Sequence, residues 1–145
     1  MRSSTSVTSK PRATAWARLA ATLWMGSLWT IAAVVPLLFW RLPRPVAGAL
    51  AGDLFVGGQG LGLIFGAIVV RAVSGPPWRR VAQAAWAVDA VFVLAILPVM
   101  AYLRAAPQFG PHSPTWGLFM ALHAVSTVLY LVEGVLGLVI VARAL

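Results

Sequence analysis

Acidic residues are almost missing from this chain, with only 3 aspartates and glutamates among 145 residues. Charged residues of both signs make up 10% of the sequence, whereas a soluble globular domain carries roughly 25%. Cysteine is absent, which excludes disulfides, thiolate metal sites and thiol catalysis. The alternating ten-residue segments that mark a membrane β-barrel are also absent. These absences exclude a typical soluble domain and a transmembrane barrel.

Long apolar segments occupy most of the chain, and hydrophobic residues make up 61% of it. Four segments, 19–40, 47–70, 81–103 and 115–142, each reach the ~20 residues that cross a bilayer as a helix. Short connections rich in proline and glycine favour antiparallel neighbours. The sequence therefore predicts an all-α integral membrane protein, an up-down-up-down four-helix bundle over residues 19–145. Residues 1–18 are expected to form a disordered basic cytoplasmic tail.

Basic residues are distributed unequally between the two ends of the predicted bundle. Eight of them lie on the side of the termini: Arg2, Lys10, Arg12, Arg18, Arg71, Arg79, Arg80 and Arg143. Arg41, Arg44 and Arg104 lie on the other side. Because cytoplasmic loops carry the excess of lysine and arginine, both termini are expected in the cytoplasm. The basic residues behind the net charge of +8 are then explained as determinants of membrane topology that also contact anionic lipids. No nucleic-acid partner is expected.

The three acidic residues, Asp53, Asp89 and Glu133, all lie inside apolar segments. Ionisable groups in lipid are costly, and those that are kept usually face a bundle interior or a cavity. From the helical rise, Asp89 lies roughly 13 Å from Arg80, and Glu133 roughly 15 Å from Arg143. Since their helices run in opposite directions, both carboxyl groups reach about the same depth.

A polar stripe on the fourth segment points to the same depth. His123, Ser126, Thr127, Tyr130 and Glu133 follow the three-and-four spacing of one helix face, which must point inward. Gln59 and Ser27 fall near this level by the same helical rise. The candidate intramembrane polar site therefore comprises Asp89, Glu133, Tyr130, Thr127, Gln59 and Ser27.

Two interpretations of this site stay open, and the second, purely structural one is favoured. It is either a proton-titrating or cation-binding site, or a set of interhelical hydrogen bonds worth about 0.6 kcal/mol each. No basic residue lies at that depth, so at least one of the two acids is expected to be protonated at neutral pH. We expect Asp89 and Glu133 to face each other and share a proton.

A second polar group is expected near the outer boundary of the membrane, formed by Asp53, Arg41, Arg44 and His123. An ion pair between Asp53 and one of the two arginines is favoured over catalysis. His123 has two interpretations, a hydrogen bond across helices or a ligand of haem or copper, and the first is favoured. No metal or other cofactor is expected.

Small residues at four-residue spacing predict close helix packing. Gly58, Gly62 and Gly66 form one such stripe, and Thr22, Gly26 and Thr30 form another. Such stripes let helix backbones approach each other in lipid. Packing within the chain is favoured over a homodimer interface, which stays open as the alternative. Five tryptophans near predicted helix ends are expected to act as interfacial anchors: Trp16, Trp40, Trp78, Trp86 and Trp116.

Several stretches resemble an uncharacterised family of bacterial four-helix membrane proteins. They include residues 23–29 (LWMGSLW), 35–39 (VPLLF), 96–100 (ILPVM) and 119–126 (FMALHAVS). The family is related to a eukaryotic transmembrane protein implicated in platinum-drug resistance. The resemblance implies an integral membrane protein with no established activity.

A more distant resemblance, to copper-resistance and haem-linked four-helix membrane proteins, rests on the tryptophan-glycine pattern of segment one and on His123. Those relatives carry a histidine about two turns before the tryptophan, where this chain has Ala17. A pair of axial histidines is therefore not expected.

The expected function is that of a non-enzymatic membrane protein. His123 and Glu133 lie ~15 Å apart along one helix, too far to hydrogen-bond, so no catalytic constellation can be assembled. The protein is expected to bind or pass a small solute or ion, with a proton-linked mechanism as one form, or to serve as a subunit of a membrane complex. The alternative is a haem- or copper-handling redox protein that uses His123. A multi-pass location in the bacterial inner membrane is expected.

Overall fold

The computed structural model describes residues 15–143, which form four helices and no strand. The helices are α1 (Ala15–Arg41), α2 (Arg44–Ala72), α3 (Pro76–Arg104) and α4 (Trp116–Arg143), and each is long and apolar enough to span a membrane. The predicted all-α four-helix membrane architecture is confirmed. Most of the expected disordered tail lies outside the described residues. Residues 15–18 of it are helical, because Ala15, Ala17 and Arg18 favour helix and extend α1 by one turn.

The helices begin and end close to prolines and glycines. Pro43 precedes α2 and Pro45 lies in its first turn, where the missing N–H has no helical partner to lose. Gly75 precedes α3 with φ 90°, a conformation that favours glycine, and Pro76 and Pro77 follow it. Pro45, Pro76 and Pro77 thus lie in the first turns of α2 and α3 and not in the connections between helices. The first three helices are longer than predicted, whereas α4 has the predicted length of 28 residues.

The four helices pack in a ring, each against its chain neighbours, and α4 closes the ring against α1. Two ends of the bundle can be distinguished. The arginine-rich end holds the start of α1, the α2–α3 turn and the end of α4. The long-loop end holds the α1–α2 turn and the connection 105–115. Both chain ends of the described part lie at the arginine-rich end.

α3 changes its winding in the middle. Pro76–Val91 is α-helical, Phe92–Ile96 forms a π-helical turn, and Leu97–Arg104 returns to α-helix. The N–H of Leu97 bonds to the carbonyl of Phe92, five residues back. Pro98 follows directly and has no N–H to offer to Leu94, so the wider turn takes up the interruption.

The glycine stripe of α2 packs within the chain, as favoured. A Cβ at Gly58 would clash with Ile31 of α1, and one at Gly66 would lie 2.6 Å from Trp86 of α3. By contrast, Thr22, Gly26 and Thr30 of α1 are exposed, and Gly26 has nothing within 4 Å of its Cβ position. Of these two stripes, only the one on α2 serves close packing between the described helices.

Candidate functional site

One polar side chain from each helix meets at a single level of the bundle. They are Trp24 of α1, Gln59 of α2, Asp89 of α3 and Glu133 of α4, here called the polar cluster. Trp24 is 1% exposed and the other three are 0% exposed. The cluster is therefore sealed from both membrane faces and from the lipid.

Glu133 lies at the centre of the hydrogen bonds in the cluster. The indole Nε1 of Trp24 donates to its Oε1 at 3.1 Å, and the amide Nε2 of Gln59 donates to its Oε2 at 3.1 Å. Each carboxyl oxygen thus accepts one N–H from a different helix. This arrangement joins α1, α2 and α4 through one carboxyl group.

Asp89 is in the opposite situation. Neither of its carboxyl oxygens has a hydrogen-bond partner, and the amide oxygen of Gln59 also has none. The cluster therefore contains more buried acceptors than N–H donors. That Asp89 and Glu133 share a proton stays a prediction.

Gly62 makes room for this arrangement. A Cβ at Gly62 would lie 2.6 Å from Oδ2 of Asp89 and 3.1 Å from Nε1 of Trp24. Both groups therefore occupy the space that a side chain at residue 62 would fill. The indole N–H that Glu133 accepts is thus also close to the unpartnered carboxyl of Asp89.

A layer of aromatic rings covers the cluster on the side of the long-loop end. Phe55, Phe92 and Tyr130, here called the aromatic layer, contact one another with ring centroids 5.3 to 6.4 Å apart. Phe55 lies one helical turn from Gln59, Phe92 from Asp89, and Tyr130 from Glu133. The hydroxyl of Tyr130 donates to the backbone carbonyl of Leu28 in α1. Tyr130 is thus next to the predicted site but has its own partner.

Ser27 and Thr127, which the sequence assigned to the site, do not join the cluster. The hydroxyl of Ser27 donates to the carbonyl of Trp24, and that of Thr127 to the carbonyl of His123, both in their own helices. Their depth was estimated from the helical rise, but rotation about the helix axis turns them away. Hydroxyls satisfied by their own helix need no partner across the bundle.

The outer polar group is not assembled as expected. Within residues 15–143, no ion pair joins Asp53, which is exposed, to Arg41 or Arg44. Arg41 lies instead over the ring of Trp40, with 4.6 Å to the ring centroid. Arginine stacks well on aromatic faces, whereas Asp53 lies about 13 Å along α2 from Arg44, beyond the reach of that side chain.

His123 is exposed and stacks on Phe119 at 6.3 Å between ring centroids. The favoured hydrogen bond from its imidazole across helices is not formed within the described part of the chain, because the neighbouring group is an aromatic ring. In residues 15–143, no three residues among histidine, cysteine, aspartate and glutamate come together as a metal-binding group.

Two tryptophans have roles that the sequence reasoning missed. Trp24 was not assigned to the site, although it lies one helical turn before Ser27. Trp86 was predicted as an interfacial anchor. Its indole is half-buried against Gly66, and its Nε1 donates to the carbonyl of Leu63 at 2.9 Å. The available signal was the glycine stripe of α2, which leaves space for large neighbours.

One family profile, described as a domain of unknown function (DUF4149), matches residues 19–110. The match covers most of α1, all of α2 and α3, and part of the connection to α4. Three of the four members of the polar cluster lie inside it, and Glu133 lies beyond it. Neither a curated protein nor a solved structure matches the chain.

Proposed function

The chain belongs to the DUF4149 family, and from this premise we propose that it is a membrane protein that binds a proton at the polar cluster and passes it across the bilayer. The observation that carries the proposal is the carboxyl group of Asp89, which is fully buried and accepts no hydrogen bond. A buried carboxylate without a donor is very costly. A proton removes that cost.

The size of the site favours a proton over a larger cargo. Because Asp89, Gln59 and Glu133 are 0% exposed, no water-sized probe touches them. A metal cation or a solute needs space next to its ligands, and this state of the bundle offers none. A proton needs no additional volume.

The hydrogen bonds suggest which acid holds the proton. Glu133 accepts N–H groups from Trp24 and Gln59, and donors of this kind stabilise a carboxylate. Asp89 has no such donors. We therefore assign the proton to Asp89, alone or shared with Glu133, and the negative charge to Glu133.

Structural glue alone explains the cluster less well. A polar network that only joins helices is expected to satisfy its members, since a partly satisfied network is worse than an apolar core. Here three acceptor atoms are left without a partner. Such unsatisfied groups call for an explanation, and a bound proton supplies one.

Proton flux into liposomes tests the proposal. Purified protein is reconstituted with a pH-sensitive dye inside, and a potassium diffusion potential drives protons inward. We expect acidification that Glu133→Gln and Asp89→Asn each abolish. Flux at the level of protein-free liposomes, or equal flux in the wild type and both variants, would refute the proposal.

We further propose that both termini face the cytoplasm and that the membrane is the bacterial inner membrane. The orientation rests on the excess of basic residues at the arginine-rich end. The location rests on the resemblance noted in the sequence. A single cysteine at Ser74, in the α2–α3 turn, is expected to resist a membrane-impermeant thiol reagent in intact cells. Labelling from outside would reverse the orientation.

The haem- or copper-handling alternative depends on His123 and on the distant resemblance to such proteins. No observation on the described residues favours it, since His123 stacks on Phe119 and has no neighbouring ligand set. An absorption spectrum and elemental analysis of the purified protein separate the two functions. A stoichiometric Soret band or bound copper would favour the redox protein. We propose a non-enzymatic role in either case.

A further inference from the structure

A groove of about 470 Å³ lies between α1 and α2 on the outer surface of the bundle. Three polar residues line it, Ser27 and Thr30 of α1 and Asp53 of α2. Its other walls are apolar and include Leu50 and Leu54, which are 41% and 38% exposed. The volume falls within the range of about 300–1,000 Å³ that small-molecule sites occupy. The groove is therefore large enough for a ligand that has both a polar and an apolar part.

The groove opens toward the lipid and not toward the polar cluster. Asp53 and Thr30, which line it, are exposed. At its base, a Cβ at Gly58 would clash with Ile31 of α1, so the two helices are in close contact there. No member of the polar cluster lines the groove. A ligand in this groove therefore enters from the membrane, at a site separate from the proposed proton site.

Asp53 lies inside the hydrocarbon region of a bilayer that is centred on the helices. Gly58 is the middle residue of α2, so Asp53 lies ~7.5 Å from the midplane by the helical rise, about half of the ~15 Å to the boundary. Ionisable residues at such a depth almost always face the bundle interior or pair with another group. An outward-facing carboxyl group at this depth therefore requires a partner from outside the chain.

The chain itself offers no such partner. Within residues 15–143, the carboxyl group of Asp53 and the hydroxyl of Thr30 form no hydrogen bond or ion pair. Two of the arginines at the long-loop end are engaged elsewhere, since Arg41 stacks on an aromatic ring and Arg104 donates to the carbonyl of Gly48. The polar atoms of the groove are thus free to bind a ligand.

The chemistry of these free atoms favours a cation that carries N–H donors. The hydroxyl of Ser27 donates its proton to the carbonyl of Trp24, which leaves its oxygen to accept. The carboxylate of Asp53 is also an acceptor. A primary ammonium group supplies a positive charge and three N–H donors, and therefore complements both. The apolar walls complement a hydrocarbon chain.

We propose that the groove binds a membrane-soluble primary amine in its protonated form. The ammonium group lies against Asp53, and the hydrocarbon chain lies against Leu50 and Leu54. The occupant is a free amine and not the ethanolamine headgroup of a phospholipid, because a headgroup stays outside the hydrocarbon region, about 7 Å above Asp53. This binding does not depend on the proton-binding function of the polar cluster.

Binding of tritiated dodecylamine to the protein in phosphatidylcholine nanodiscs tests the proposal, and empty nanodiscs correct for partition into the lipid. Asp53→Asn removes the charge. Gly57→Leu fills the groove, since Gly57 lines it and has nothing within 4 Å of its Cβ position. Gly60→Leu is the matched control, because Gly60 lies on the same helix, has an equally open Cβ position and does not line the groove.

We expect saturable binding of one amine per chain. Asp53→Asn and Gly57→Leu should each weaken it by about tenfold, the effect of losing about 1.4 kcal/mol of binding free energy. Gly60→Leu should bind as the wild type does. Dodecanol, which has the same hydrocarbon chain without the charge, should not compete.

Several results would overturn the proposal. They are the absence of saturable binding above empty nanodiscs, equal affinity in the wild type and either groove variant, and competition by dodecanol as strong as by unlabelled dodecylamine. Loss of binding in nanodiscs that contain phosphatidylethanolamine would assign the groove to that lipid. Loss of binding with two chains in each nanodisc would assign it to a second copy of the chain. Either assignment would exclude the free amine.

Discussion

The two halves of the bundle, on either side of the polar cluster, are packed in different ways. Toward the arginine-rich end, Gly66 and Gly137 let Trp86 and Met25 approach the neighbouring helices closely. Toward the long-loop end, α3 widens into its π-helical turn and a cavity of about 120 Å³ separates helices. The acids lie at the boundary. The difference shows that a small bundle can pack tightly on one side of a buried polar cluster and more loosely on the other.

The largest effect on stability is expected at the boundary itself. Glu133→Leu leaves the buried N–H groups of Trp24 and Gln59 without an acceptor, which should cost about 1–3 kcal/mol of unfolding free energy for each donor. Glu133→Gln should cost less than about 1 kcal/mol, because the amide of Gln59 can turn and offer its unpartnered oxygen to the new NH₂ group. Denaturation in detergent measures both. Equal destabilisation by the two variants would contradict the hydrogen-bond assignment.

A smaller effect is expected in the tightly packed half. Gly66→Ala places a methyl group 2.6 Å from Cδ1 of Trp86, and overpacking of this kind typically costs about 1–3 kcal/mol. Gly60→Ala on the same helix is the control, since nothing lies within 4 Å of its Cβ position. The thermal unfolding midpoints of the two variants measure the difference. If Gly66→Ala were as stable as Gly60→Ala, the tight packing would not exist.

The smallest effect is expected at the exposed acid of the loosely packed half. Asp53 forms no ion pair with Arg41 or Arg44, so Asp53→Asn should change the unfolding free energy by less than about 0.5 kcal/mol. Arg44→Gln should be equally neutral. A loss above about 1 kcal/mol in both variants, without additivity in the double variant, would restore the ion pair that the sequence suggested.

The depth of residues along each helix could be predicted from the sequence, whereas the direction in which their side chains point around the helix axis could not. The helical rise alone placed Asp89, Glu133 and Gln59 near one level, and the structure buries all three there. The same calculation included Ser27 and Thr127, because it contains no information about which way a helix face turns. That rotation depends on the packing partners.

The packing partners of the cluster were only partly visible in the sequence. The glycine stripe of α2 indicated a close approach but not that Trp24 and Trp86 would fill it. Tryptophan is common at membrane interfaces, and this preference hid the packing role of Trp86. The π-helical turn was equally hidden, since a proline in a membrane helix can be accommodated in several ways.

The central claim is that Asp89 carries a proton at neutral pH while Glu133 is ionised. Infrared difference spectroscopy of the wild type, Asp89→Asn and Glu133→Gln at neutral pH tests it most directly. The account predicts a protonated carboxyl band that is present in the wild type and disappears in Asp89→Asn. A protonated carboxyl band that is unchanged in Asp89→Asn, or the absence of such a band from the wild type, would contradict it.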